Sequence, residues 1–241
     1  KISSGKISAA EQPTIAYWDI QTKDPKATVL MFHGYGADAH DLYSLNEFLD
    51  PDEKWNWFFP QGLLSVPIGP HSMGQAWWNI DMRRLQSPSP LKWEMSQEIP
   101  QGLQEASLHG QNILAALADS KVVIGGFSQG AMLAVETASA HLCEPGGQNN
   151  NIAGLVLLSG AMIAGPRWQT RVGKVPSNVP FHQSHGQTDA VLPYIAAKAL
   201  HKFLTEEFKW QGPITSFQGG HEIPEKTIQQ TRAFLSQTLG N

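Results

Sequence analysis

Ser128 sits at the centre of Gly126-Phe127-Ser128-Gln129-Gly130, a G-x-S-x-G pentapeptide. The apolar run Lys121-Val122-Val123-Ile124-Gly125 before it reads as a buried strand, and Ala131 to Ala138 after it reads as a helix. A serine on so tight a strand-to-helix turn is lifted above the sheet with its hydroxyl facing a substrate. Glycines flank it where a side chain would strike the neighbouring strand or helix. The pentapeptide alone is a weak signal. A serine hydroxyl is a poor nucleophile near neutral pH, and it needs a base to take its proton and an acid to orient that base.

In this fold class the chain order is Ser, then Asp or Glu, then His, and the glutamates after Ser128 fall mostly inside predicted helices. Asp189 is the only aspartate after Ser128. It lies just past a strand end, in Ser184-His185-Gly186-Gln187-Thr188-Asp189, where a sheet presents catalytic groups. Its alternative role is capping the helix that starts near Tyr194. Two histidines follow it. His201 falls inside a helical run, whereas His221 follows a strand and Gly219-Gly220, in a loop before Pro224. His185 precedes the aspartate and reads as a structural brace for its loop. For the oxyanion, Gln129 offers a backbone N–H at the start of the elbow helix, where the helix dipole adds to it. A second N–H is expected from the loop after an earlier strand, and His33-Gly34-Tyr35-Gly36 is the candidate. Asp38, His40 and Asp41 lack a recognised metal-ligand spacing and read as polar groups at a helix entry. No metal is expected, and no Walker-type or dinucleotide loop is present.

The elements that must hold these residues can be read from hydrophobic pattern. Strands are predicted at Thr14–Ile20, Ala27–Phe32, Trp55–Phe59, Ile152–Ser159, Val179–Ser184 and Pro213–Phe217, with a turn from Gln21 to Lys26. Helices are predicted at about His40–Leu49, Gln101–Asp119, Tyr194–Phe208 and Glu225–Leu239. Glu144 to Asn151 is a polar, Gly-rich loop, and Gly160 to Asn178 is irregular. From Pro60 to Glu98 no periodicity survives. That stretch mixes Pro67, Pro70, Pro88, Pro90 and several glycines with Trp77, Trp78 and Trp93, and it is either a surface excursion packed by its own aromatics or a wall or lid over an apolar substrate. Alternating apolar strands and helices imply an α/β fold with a mainly parallel central sheet and helices on both faces.

Composition sets the outer limits. The chain has 241 residues, 41% hydrophobic and 16% charged, with a formal net charge of -4. That suits one well-cored domain over 1–241, with 1–13 as an extended N-terminal segment. No basic run favours nucleic acid or an anionic membrane, and no apolar stretch approaches an integral membrane span. Cys143 is the only cysteine, so no internal disulfide forms. A cytoplasmic location fits, with export behind a removed signal left open. Lys1-Ile2-Ser3-Ser4-Gly5 carries no initiator methionine and no signal-peptide pattern.

The sequence resembles the carboxylesterase and acyl-protein thioesterase (phospholipase/carboxylesterase) family of α/β-hydrolases. The resemblance is carried by Phe32-His33-Gly34-Tyr35-Gly36-Ala37, Gly126-Phe127-Ser128-Gln129-Gly130-Ala131-Met132, His185-Gly186-Gln187-Thr188-Asp189-Ala190-Val191-Leu192-Pro193 and Gly220-His221-Glu222-Ile223-Pro224. It implies an α/β-hydrolase fold without a separate cap domain, and a cofactor-independent serine hydrolase. By it Ser128 is the nucleophile, His221 the base and Asp189 the orienting acid, with the backbone N–H groups of Tyr35 and Gln129 forming the oxyanion hole. Gln75-Ala76-Trp77-Trp78-Asn79-Ile80 is similar to the family's Ala-Trp-aromatic-Asp segment, with Asn79 where aspartate is usual.

The expected activity is cleavage of a carboxylic ester or thioester, on a small molecule or an acyl chain, through an acyl-enzyme. Trp77, Trp78, Met162, Val191 and Leu192 are the candidate acyl contacts, with core packing as their alternative role. The rival enzymatic readings are a lysophospholipase or a serine peptidase on the same fold. A peptidase of this type is expected to carry a further large domain, for which 241 residues leave no room. A non-catalytic binding protein on this scaffold is expected to lack a triad member or an oxyanion glycine. A homodimer is allowed by the sequence.

Overall fold

Val29, Leu30, Met31 and Phe32 are all buried, so β3 (Thr28–Phe32) is covered on both faces, as a strand inside a parallel sheet must be. The computed structural model describes residues 2–7, 15–23, 25, 27–81, 95–143 and 151–240. Among them, eight strands form one sheet in the order β1-β2-β4-β3-β7-β8-β9-β10. These are β1 (Ile2–Ile7), β2 (Ile15–Ile20), β3, β4 (Asn56–Pro60), β7 (Val122–Phe127), β8 (Ile152–Leu158), β9 (Phe181–Gly186) and β10 (Ile214–Phe217). β1 and β2 are antiparallel additions at one edge, and every pairing from β4 to β10 is parallel.

Residues alternate across the sheet, because successive side chains of a strand point to opposite faces. Leu30, Phe32, Val122, Ile124, Leu155 and Leu157 enter one core with Leu103, Ile113 and Leu114 of α2 (Leu103–Ala116) and with α3 (Gln129–Cys143). Val29, Met31, Val123, Val156 and Leu158 enter the other, against Leu49 of α1 (Leu45–Leu49) and Leu235 and Leu239 of α6 (Glu225–Leu239). α4 (Gly165–Gln169) and α5 (Tyr194–Glu206) complete the helices among the described residues.

The elements depart from expectation at four places. β1 occupies residues 2–7 of the segment expected only to be extended, and it pairs along its whole length with β2. The helix expected from His40 is a series of turns until Leu45. α4 forms inside the stretch expected to be irregular. The aperiodic excursion holds an antiparallel hairpin, β5 (Leu64–Gly69) and β6 (Ser72–Ala76), with a register shift between Pro67 and Gly69. Its proline and glycines argue against a strand, yet a two-stranded ribbon tolerates proline on a free edge or at a bulge. Expectations at Thr14, Asp24, Lys26, Pro88, Pro90, Trp93 and residues 144–150 lie outside the described residues.

One buried ionic cluster ties α3 to α4. The carboxylate of Glu136 is fully buried. It accepts from Arg171 at 2.7 and 3.0 Å, Arg167 Nε at 2.9 Å and Trp168 Nε1 at 2.7 Å. Burial alone would push its pKa up, but the bonds and charges of Arg171, Arg167 and Trp168 outweigh that and hold it below the ordinary carboxylate range. The folded-state pKa is depressed, so the cluster stabilises above the unfolded carboxylate pKa and loses that contribution as pH falls through the folded value. Glu136→Ala leaves two guanidinium groups facing an empty site. We expect a loss of about 3–5 kcal/mol in urea unfolding at pH 7, narrowing as the pH is lowered toward 3.

Candidate active site

The strand order creates the site. The chain passes from β3 to β4 on one side and then places β7 on the other side of β3. A crevice therefore opens beyond the carboxyl ends of β3 and β7, as at any such switch point. His33 to Gly36 leave β3 there, and Ser128 leaves β7. Ser128 adopts a left-handed backbone with φ 55, a conformation that costs a non-glycine residue energy and survives only where its surroundings enforce it. They do so from two sides. The Ser128 N–H donates to the Leu158 carbonyl on β8 at 2.8 Å, and the Ser128 carbonyl accepts from Ala131 N–H at 3.0 Å to start α3. Gly126 and Gly130 permit the turn by close approach: a methyl group on Gly130 would overlap the Phe32 carbonyl, and one on Gly126 would overlap Gly130.

Asp189 and His221 arrive on the loops after β9 and β10. The two loops are tied together, since the Thr188 N–H and hydroxyl both donate to the Gly219 carbonyl, at 3.0 and 2.8 Å. Gly186 has no side chain where one would strike the carbonyls of Gly219 and Gly220. His221 Nδ1 lies 2.7 Å from Asp189 Oδ2, and its ring packs on Phe127 with centroids 4.8 Å apart. Asp189 Oδ1 accepts the N–H groups of Val191 and Leu192, both at 2.8 Å. Burial pushes the Asp189 carboxyl pKa up. The bonds from His185, His221 and Leu192 more than reverse this and hold it well below the carboxylate range, so the group stays ionised near neutral pH.

Ser128, Gln129, Tyr35 and His221 line one cavity of about 240 Å³, together with Gly34, Ala37, Asp41, Trp78, Ile80, Met95, Pro100, Phe127, Met132, Ile163, Val191 and Leu192. Trp78, Val191 and Leu192, expected as acyl contacts, are on its wall. Trp77 and Met162 are not. Trp77 is a core ring that donates from Nε1 to the His33 carbonyl at 2.8 Å and meets Phe32 edge-on, and Met162 packs in the sheet core. Sequence reading missed Ile80, Met95, Pro100, Met132 and Ile163. Met132 had a usable signal, four residues after Ser128 and one helical turn along the same face. The others come from segments without periodicity.

Two buried polar side chains organise the rim. The Gln129 amide accepts the Trp77 N–H at 3.0 Å and donates to the Trp78 carbonyl at 2.9 Å, which holds Trp78 at the cavity. His33 accepts the Gly62 N–H on Nε2 at 3.0 Å, so Nδ1 carries the ring proton and donates to the Gly34 carbonyl at 2.7 Å. Burial lowers the His33 pKa against the opposing effects of the Gly34 bond and Asp38, which suits the neutral ring these bonds require. The hairpin is anchored here as well: Gly36 N–H donates to the Gln75 carbonyl, and Gln75 N–H to that of Ala37. Tyr35 donates its hydroxyl to Asn79 at 3.4 Å.

Residues 18–239 match the family described as phospholipase/carboxylesterase. The chain is 27% identical over 224 residues to an acyl-protein thioesterase 1 of Eremothecium gossypii, covering 89% of this chain and 88% of that one. It is 24% identical to the acyl-protein thioesterase 1 of Saccharomyces cerevisiae, with 90% and 94% covered. Among solved structures, acyl-protein thioesterase 2 of Zea mays superposes with a TM-score of 0.73 at 23% identity, over 93% of this chain and 99% of that one. Esterase PE8 gives 0.66 at 23% identity, over 99% of each. These likenesses identify the sheet and its helices as the α/β-hydrolase fold. Among the described residues, no helix is long and apolar enough to cross a membrane.

The packing at the elbow makes Gly130 intolerant of even one methyl group. Gly130→Ala must push α3 away from β3, and we expect a loss of about 3 kcal/mol or more in thermal or urea unfolding.

Proposed function

The chain belongs to the phospholipase/carboxylesterase family, and from that premise we propose that it hydrolyses carboxylic esters or thioesters through an acyl-enzyme formed on Ser128. It is an enzyme, a serine hydrolase of the carboxylesterase and acyl-thioesterase type. The observation that carries the finer reading is the 2.7 Å contact between His221 Nδ1 and the ionised Asp189, beside a cavity that His221 shares with Ser128.

A carboxylate on Nδ1 holds the proton there and leaves Nε2 with a lone pair, which makes the ring a base. In this reading His221 takes the Ser128 proton as the oxygen attacks the substrate carbonyl. The imidazolium so formed is stabilised by Asp189 and then protonates the leaving alcohol or thiol. Water, activated by the same ring, releases the acid and restores Ser128. The oxyanion is met by the N–H groups of Tyr35 and Gln129. A trans peptide sets its N–H opposite to its carbonyl, so the bond from His33 to the Gly34 carbonyl also fixes the direction of the Tyr35 N–H. Gln129 adds the positive end of α3. The cavity wall of Trp78, Ile80, Met95, Pro100, Met132, Ile163 and Leu192 supports an apolar acyl group.

Ser128→Ala is expected to abolish hydrolysis of p-nitrophenyl acetate and butyrate, and labelling by a fluorophosphonate probe, while circular dichroism stays native. Full activity in that variant overturns the assignment. Asp189→Asn keeps the shape but loses the charge that supports the imidazolium, and we expect kcat to fall by about 10⁴-fold. In an ester chain-length series, Trp78→Ala should change KM for the longer acyl chains more than for acetate. Equal changes across the series would remove Trp78 from the acyl site.

A further inference from the structure

Asp189 is in contact with a second histidine that the mechanism above does not use. We propose that His185 is a positioning residue, which locks the Asp189 carboxylate and the adjoining cavity wall in the geometry His221 requires. The inference rests on the reading of Asp189 as the orienting acid.

His185 lies in β9 and its side chain is fully buried. Its Nε2 is 2.6 Å from the Leu192 carbonyl and 3.2 Å from Asp189 Oδ2. A carbonyl oxygen only accepts, so Nε2 carries a proton, shared between the two oxygens. Nδ1 is buried with no hydrogen-bond partner among the described residues, so it holds the lone pair and has nowhere to donate. The tautomer is thereby assigned, and it is the opposite of that of His33.

A carboxylate has about four acceptor positions. Around Asp189 four donors are present: Val191 N–H and Leu192 N–H on Oδ1, and His221 Nδ1 and His185 Nε2 on Oδ2. Three of them sit on loops. His185 alone is carried by a strand inside the sheet, so it refers the carboxylate to the rigid part of the fold. It also completes a clamp on Leu192, whose N–H goes to Asp189 and whose carbonyl goes to His185. Leu192 is part of the cavity wall, so one ring sets both the acid and the wall beside it. Without that donor, Oδ2 keeps a single partner and the carboxylate can turn about its own bond, carrying His221 off line. Small misalignments of this kind cost rate while leaving substrate affinity nearly intact.

Two replacements separate this role from space filling. A glutamine amide places its N–H near the position of ring Nε2, and an asparagine amide places it near Nδ1. His185→Gln is expected to keep kcat within about threefold of wild type. His185→Asn should lose about 30-fold in kcat, with a smaller rise in KM from the loosened Leu192 wall. Wild-type kcat in His185→Asn, or equal losses in both variants that track a fall in Tm, overturns the proposal. Nitrogen NMR of the wild-type protein needs no variant to fold: His185 should show a protonated Nε2 and a bare Nδ1, and the reverse pattern also overturns it. Ser128→Ala assayed alongside separates the two readings. If it is inactive while His185→Asn is not, only the role of His185 fails; if it is active, the site assignment fails and this inference fails with it.

Discussion

The approach of α3 to β3 at Gly130 is the contact on which the site depends. With no side chain at Gly130, the first turn of the helix rests on the Phe32 carbonyl, and with none at Gly126 the strand can turn beneath it. The turn then has too few residues to relax, and the cost falls on Ser128, which takes a left-handed backbone. That strain is small beside what enforces it: a bond to β8, the start of α3, and a core packed on both sides of the sheet. The same closeness brings the loop after β3 against the elbow. Tyr35 and Gln129 thus line one cavity although they are 94 positions apart in the chain.

Buried polar groups then set directions that packing alone leaves free. A hydrophobic core is non-directional, whereas a hydrogen bond fixes an angle as well as a distance. His33 fixes the peptide that precedes Tyr35, the Gln129 amide fixes the backbone of Trp77 and Trp78, and the donors around Asp189 fix its carboxylate. Each of these groups is buried, so leaving one unpaired would cost more than a surface bond contributes. Glu136 applies the same rule further from the cavity, where it fastens α4 to the helix that carries the elbow. A network of this kind tolerates little: changing one member leaves its partner buried without a bond.

Much of the fold was legible because its signals are local. β3, β7 and β8 are short runs of apolar residues, and a strand buried on both faces produces that pattern with no knowledge of its neighbours. The long helices announced themselves by spacing. The hairpin of β5 and β6 was not legible, since Pro67, Gly69 and Gly74 contradict strand propensity. It is held by bonds from Gly36 and Gln75 that exist only once the loop after β3 is in place. α4 was hidden for a related reason, as a five-residue helix has almost no periodicity to show. Trp77 and Trp78 looked equivalent in the sequence. Both rings are buried in one core cluster, and only the packing around them puts Trp78 and not Trp77 on the cavity wall.

The sequence by itself carried the chemistry proposed for this protein. The types and order of Ser128, Asp189 and His221, with a glycine loop ahead of them, follow from what a weak nucleophile needs, and that need can be read along a line. Tertiary structure decided the rest. It chose which of two adjacent tryptophans meets the cavity, assigned opposite tautomers to His33 and His185, and shaped the wall from Ile80, Met95, Pro100, Met132 and Ile163. The physical reason is that catalytic roles depend on residue type, whereas the shape of a cavity and the direction of a proton depend on neighbours that are remote in the chain and meet only on folding.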